Sequence, residues 1–162
     1  MNAKTSNPLS LRAPGQRRVR GVGLIEVLVA VAILAFGLLG IAALQATALR
    51  NSQSSYERSQ AVSLTYSILD RMRANRSAAI GPSYAYNIAK TCDVPAGGGQ
   101  AANDLRDWIT DIHKSMVDEK SCGTIVCNQP GTTFQCTITV EWDDSRGTQG
   151  KPAQTLTTST AI

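Results

Sequence analysis

The sequence predicts an α+β protein, with one long N-terminal helix and a small antiparallel sheet toward the C-terminus. Three observations predict it. An uncharged apolar run extends from Val27 to Leu44, no proline follows it until Pro82, and apolar and polar residues alternate from Phe134 to Trp142. The first two describe one uninterrupted helix, because proline removes a backbone donor and clashes with the preceding turn. The third is the period of a half-buried strand.

The helix begins at a membrane-spanning stretch. Val22 to Leu44 at about 1.5 Å per residue makes a helix of roughly 35 Å, enough for a hydrocarbon core of about 30 Å. Glu26 stands just inside this stretch. A carboxylate in an apolar span needs a partner and marks a functional position. Gly37 and Gly40, with Ala35, Ala42 and Ala43, permit close helix approach. The two glycines also make Phe36 to Ile41 the weakest part of the helix, since each costs about 1 kcal/mol relative to alanine. Local unwinding there is a second use for them.

Charge is unevenly distributed. The net charge is +4, but Lys4, Arg12, Arg17, Arg18 and Arg20 precede Val22 and no acidic residue does. The remaining chain keeps eleven basic against twelve acidic residues, so the basicity belongs to the N-terminal segment. Such a flank stays cytoplasmic and sends the C-terminal part outward. The run is longer than a signal-peptide core and lacks a convincing Ala-x-Ala exit, so it is retained rather than removed.

Outside the cytoplasm, Cys92, Cys122, Cys127 and Cys136 are expected to form two disulfides. Three connectivities are possible. A hairpin favours Cys127 with Cys136, leaving Cys92 with Cys122. A zinc site using His113 and three cysteines is disfavoured, because the close C-x2-C pairs of structural zinc sites are missing. No C-x-x-C supplies a redox thiolate, and no acid, base and nucleophile converge, so neither enzymatic activity nor a cofactor is expected.

The second half of the long helix reads from Gln45 to about Ile80, where Gly81-Pro82 ends it. Ala61, Leu64, Ile68, Leu69 and Met72 form its packing stripe. Arg71, Arg73 and Arg76 complement the helix dipole in the last turns rather than forming an anion site. Tyr84 to Gln100, with Pro95 and three consecutive glycines, reads as an irregular connection. A short amphipathic helix follows, with Asn103 as N-cap and Leu105, Trp108, Ile109, Ile112 and Met116 on one face. Thr124–Cys127 and Phe134–Trp142 form a hairpin around Gln129-Pro130-Gly131. Gln154–Ile162 supplies a third strand.

Gly21 followed by Val22-Gly23-Leu24-Ile25-Glu26 resembles the class III leader of type IV pilins and pseudopilins. The resemblance implies the type IV pilin fold, with a leader over 1–21, a transmembrane and filament-core helix over 22–44, a periplasmic helix half over 45–80 and a globular head over 81–162. It implies cleavage by the prepilin peptidase after Gly21, N-methylation of Val22, and an assembly role for Glu26 as the fifth mature residue. Cleavage after Gly23 would make Glu26 the third. The common aromatic first mature residue is replaced by Val22, and the leader is long for the family.

Within the family the chain resembles the PilV-type minor pilins, through Leu69-Asp70-Arg71-Met72-Arg73-Ala74-Asn75, the Asp104-Leu105-x-x-Trp108 helix and Thr139-Val140-Glu141-Trp142-Asp143-Asp144. Such proteins are implied to modify or prime type IV pilus assembly, with effects on twitching motility or adhesion. Implied partners are other minor and major pilins, the inner-membrane assembly platform and a tip adhesin. The implied location is a single-pass inner-membrane protein with a periplasmic head, later in the pilus. A minor pseudopilin of a type II secretion system is the structural alternative. A DNA-uptake pilin would need a basic stripe on the mature domain, and the charge count offers none.

Overall fold

The computed structural model describes residues 21–162; the leader expected over 1–21 therefore lies outside the described residues except for Gly21. The elements are α1 (Leu24–Ala74), α2 (Arg76–Ile80), β1 (Ile88–Thr91), α3 (Gln100–Met116), β2 (Cys122–Asn128), β3 (Gln135–Trp142) and β4 (Gln154–Ala161). This is the α+β type IV pilin fold that the sequence predicts, with a long N-terminal apolar helix and a small antiparallel sheet.

The chain divides into two compact units, one ending at Ile41 and the other spanning Ala42–Ile162. The first contains the apolar part of α1, in which every residue from Leu24 to Ile41 is exposed. A helix surface that is apolar apart from Glu26 and has no cover within its own unit is what a bilayer or a helix bundle would bury. The helix is continuous through Gly37 and Gly40.

The second unit is built around a four-stranded antiparallel sheet in the order β1-β2-β3-β4. The expected stripe of α1 and the apolar face of α3 meet the inner face of this sheet. Ala61, Ile68, Leu69, Met72, Trp108, Ile109, Ile112, Ile125, Ile138 and Val140 are all buried in one core. Gly123 of β2 permits the close approach of α3, since a Cβ there would stand 2.5 Å from Cζ3 of Trp108. The Trp108 indole donates to the Leu64 carbonyl of α1 at 3.0 Å, which ties the two helices together.

Three sequence expectations are corrected here. The long helix stops at Ala74 rather than running to Gly81; Asn75 forms a turn, and its carbonyl accepts from the amides of Ala78 and Ala79 to start α2. The connection from Tyr84 to Gln100 contains β1, whose placement depends on Asn87. The Asn87 side chain accepts from the Cys127 amide at 2.6 Å and donates to its carbonyl at 3.2 Å, holding the connection against β2. Finally, α3 starts at Gln100 and is preceded by Gly99, not by Asn103. The Asn103 side chain instead folds back onto the amide and carbonyl of Gly98.

The structure joins Cys92 to Cys122 and Cys127 to Cys136. The second bond crosses the directly opposed pair of the β2–β3 ladder. The first fastens the segment after β1 to the start of β2.

Candidate functional site

Two regions carry the groups from which function can be argued. The first is the start of α1. Gly21, Val22 and Gly23 precede the helix in non-helical conformation, and the Gly23 carbonyl accepts the amides of Glu26 and Val27 at 3.0 and 3.3 Å. Gly21 is exposed, and a Cβ there would meet nothing within 4 Å among the described residues. The backbone on either side of the Gly21–Val22 bond is therefore open to a peptidase. Glu26 lies in the first turn, where its charge complements the helix dipole. It is exposed and has no ion-pair partner among the described residues.

The second region lies in the Ala42–Ile162 unit, where the β3–β4 connection is fastened to α1. Asp144 is 1% exposed, and Ser54 donates to its Oδ2 at 2.7 Å. Arg58 approaches the same oxygen at 3.9 Å. Glu57 is 2% exposed and accepts from Gln53 at 3.1 Å and from Arg146 at 3.2 Å. Thr148 donates to the Asn51 side chain. Inside the loop, the Asp144 amide donates to Lys151 and its carbonyl accepts from Gly147. Gly150 packs so tightly against the Asp144 carbonyl that no Cβ would fit. Buried carboxylates are costly unless paired and hydrogen-bonded, and both are. Between Leu49–Glu57 and Asp144–Gly147 lies an open groove of about 600 Å³.

The residues Asp143–Gly147, which follow the predicted Phe134–Trp142 strand, do not disclose this fastening in the sequence. No local signal announces it, because Ser54 and Asp144 are 90 residues apart. Of the cations singled out, Arg71 bridges to Asp111 of α3 at 3.3 Å, Arg73 pairs with Asp70, and Arg76 donates to the Ile162 carbonyl. They are spent on separate partners and do not converge. His113 Nε2 lies 3.1 Å from the Ser121 carbonyl, a structural contact. Among the described residues no three His, Cys, Asp or Glu side chains converge on a metal position, and all four cysteines are in disulfides.

Exposed Asp143 is held below the usual carboxylate range by the Ser145 hydroxyl and amide. Tyr86 is shifted the other way. It is fully buried and donates to Asp104 at 2.5 Å, while Asn75 donates to its oxygen at 3.4 Å. Burial first, and the Asp104 hydrogen bond second, push its phenol up to about 12. The neutral form is therefore favoured by folding, so its stabilisation is complete below pH 10 and is lost as pH rises from about 10 through about 12. An alkaline unfolding titration of Tyr86→Phe should lack this step; an unchanged profile would contradict it.

A family model described as the prokaryotic N-terminal methylation motif matches residues 16–42. A second, described as Tt1218-like, type IV pilin Tt1218, matches residues 43–95. No curated protein matches the chain, and no solved structure matches it. The two matches adjoin, and together they cover the processing motif, all of α1, α2 and β1. The methylation motif implies processing by a peptidase, anchoring in a membrane and assembly with other pilins. Pilins are structural proteins. With this motif, this helix and this sheet, the chain belongs to the type IV pilin superfamily.

Proposed function

We propose that the chain is a PilV-type minor pilin that primes or modifies type IV pilus assembly, with effects on twitching motility or adhesion. The observation that carries the reading is the exposed Gly21-Val22 junction ahead of a bare apolar helix bearing Glu26 in its first turn. The subfamily assignment draws further support from the three sequence features noted above, which lie on elements that pack together. Leu69 to Ala74 ends α1 and Asn75 follows it, Trp108 packs on that helix, and Asp144 follows β3 and bonds back to Ser54.

In this reading the prepilin peptidase cuts after Gly21 and methylates Val22. The head lies on the periplasmic side of the inner membrane until the subunit enters the pilus. As the helix leaves lipid for a bundle of helices, Glu26 meets the terminal ammonium of a neighbouring subunit. An unpaired buried charge costs several kcal/mol, so pairing sets the axial register. Other minor and major pilins, the assembly platform and an adhesin are the partners.

Deleting the coding gene should strongly reduce surface piliation and twitching while leaving type II secretion intact, and the parent chain should restore both. A Glu26→Gln copy, still cleaved and membrane-inserted, should restore less than about a tenth of the piliation. The reverse phenotype, with secretion lost and piliation kept, would assign the chain to the type II secretion pseudopilins. Full rescue by Glu26→Gln would remove the assembly role.

A further inference from the structure

The two edges of the sheet are built differently. β1 has four residues, a register shift between Ile88 and Thr91, and a lysine at position 90. Short length, irregularity and lysine are the features by which natural edge strands avoid pairing with other chains. β4 has none of them. It runs in unbroken register with β3 from Gln154 to Ala161, eight residues without a charge or a proline.

The backbone groups that this edge presents follow from the ladder. The Ile162 amide donates to the Phe134 carbonyl at 3.1 Å, and antiparallel hydrogen bonding alternates residue by residue. The even-numbered residues of β4 therefore face β3. Thr155, Thr157, Ser159 and Ala161 point their N–H and C=O groups away from the sheet. Consistent with this, the carbonyls of Thr155 and Ala161 are met only by the adjacent side chains of Gln154 and Thr160. No backbone group among the described residues pairs with this edge.

The side chains give the chemistry of what would pair. On the outer face hydroxyls already meet across the strands, Thr137 with Ser159 at 2.8 Å and Thr139 with Thr157 at 3.1 Å. On the inner face the core is unfinished. The β3 positions Cys136, Ile138, Val140 and Trp142 are no more than 2% exposed, whereas Leu156 and Ile162 beside them are only partly buried. A further strand would extend the hydroxyl row on one face and cover these two side chains on the other.

We propose that the free edge of β4 is a strand-addition site. Its occupant is an uncharged extended segment of another protein, with apolar residues toward Leu156 and Ile162 and Thr or Ser on the outer face. The occupant is not a second β4. Two copies paired antiparallel through β4 in one continuous sheet are related by a twofold axis normal to the sheet. Since α1 packs on one sheet face, that axis reverses its direction, and two helices anchored in one membrane run the same way. The site is independent of the pilin subfamily to which the chain belongs.

The test uses the mature full chain in detergent micelles, with the peptide acetyl-Thr-Val-Thr-Val-Thr-Val-Thr-amide as probe and amide hydrogen exchange as readout. Saturating peptide should slow exchange at Thr155, Thr157, Ser159 and Ala161 by at least tenfold. In Thr157→Pro an outward N–H is lost but no bond to β3, so the ladder amides of Leu156, Thr158 and Thr160 should stay protected while the peptide effect disappears. A peptide with lysine in place of valine should give no slowing. Absence of slowing with the parent, equal slowing in Thr157→Pro, or equal slowing by the lysine peptide would overturn the proposal. So would concentration-dependent protection of the four amides without peptide, which would mean self-pairing.

Discussion

Replacing Gly21 by valine is expected to leave the chain in its precursor form, with the leader attached, Val22 unmethylated and piliation unsupported. The effect should approach all-or-none. A Cβ at position 21 meets nothing within 4 Å among the described residues and the residue is exposed outside α1, so the substitution does not disturb the fold of residues 22–162. What changes is the residue presented to the peptidase before the cut. Uncleaved, the chain keeps its basic N-terminal segment, which holds that end on the cytoplasmic side, and it has no ammonium at Val22 to exchange with the Glu26 of a neighbour. Intact-mass measurement on protein extracted from membranes decides it. The parent should begin at singly methylated Val22, and Gly21→Val should retain the leader in at least about nine molecules of ten. The same mature terminus in both would refute cleavage after Gly21.

Truncating Trp108 is expected to have the largest effect on the head. It is 1% exposed, lies between α1 and β2, and donates to the Leu64 carbonyl at 3.0 Å. Trp→Ala in a core costs about 3–5 kcal/mol through lost burial and the cavity left behind. Losing the donor adds about 1 kcal/mol or more, because the Leu64 carbonyl loses a partner. Total stabilities of about 5–15 kcal/mol leave little after such a loss. Urea unfolding of the solubilised protein, followed by the fluorescence of Trp142, should shift accordingly. Trp108→Phe separates the terms: it keeps most of the packing and loses the hydrogen bond, so it should cost about 1–2 kcal/mol. A Trp108→Ala loss below about 1 kcal/mol, far under the range for a truncated core tryptophan, would show that α1 and α3 are not held together at this residue.

Local pattern carried much of the architecture. The stripe Ala61, Leu64, Ile68, Leu69 and Met72, and the face Leu105, Trp108, Ile109, Ile112 and Met116, are all buried in the structure as their spacing predicts. The alternation Cys136, Ile138, Val140 and Trp142 places the same residues inward. These are short-range regularities, and helix or strand periodicity needs only a few turns of chain to be visible. The processing motif is likewise local, since it is a glycine, an apolar run and a glutamate at fixed spacing.

Elements whose existence depends on distant partners were not legible. β1 contains only four residues, too few for a periodic signal, and it is a strand because Asn87 and β2 hold it. Asn103 has the character of an N-cap, yet Gly97-Gly98-Gly99 lets the chain turn earlier and leaves its side chain to brace Gly98. The break at Asn75 has no proline or glycine to mark it.

By itself, then, the sequence determined the long helix, the apolar stretch in it that is long enough to cross a membrane, the faces that pack and the superfamily, because each is written in residue types at short spacing. The favoured cysteine pairing was borne out, whereas only the tertiary structure decided that Glu57 and Asp144 are buried with Arg146 and Ser54, and that β4 ends the sheet with no backbone partner on its outer edge among the described residues. Those outcomes depend on segments up to 90 residues apart meeting in space. A charged or hydroxyl side chain looks the same in sequence whether it faces water or a partner across the fold, so burial and pairing are properties of the folded chain.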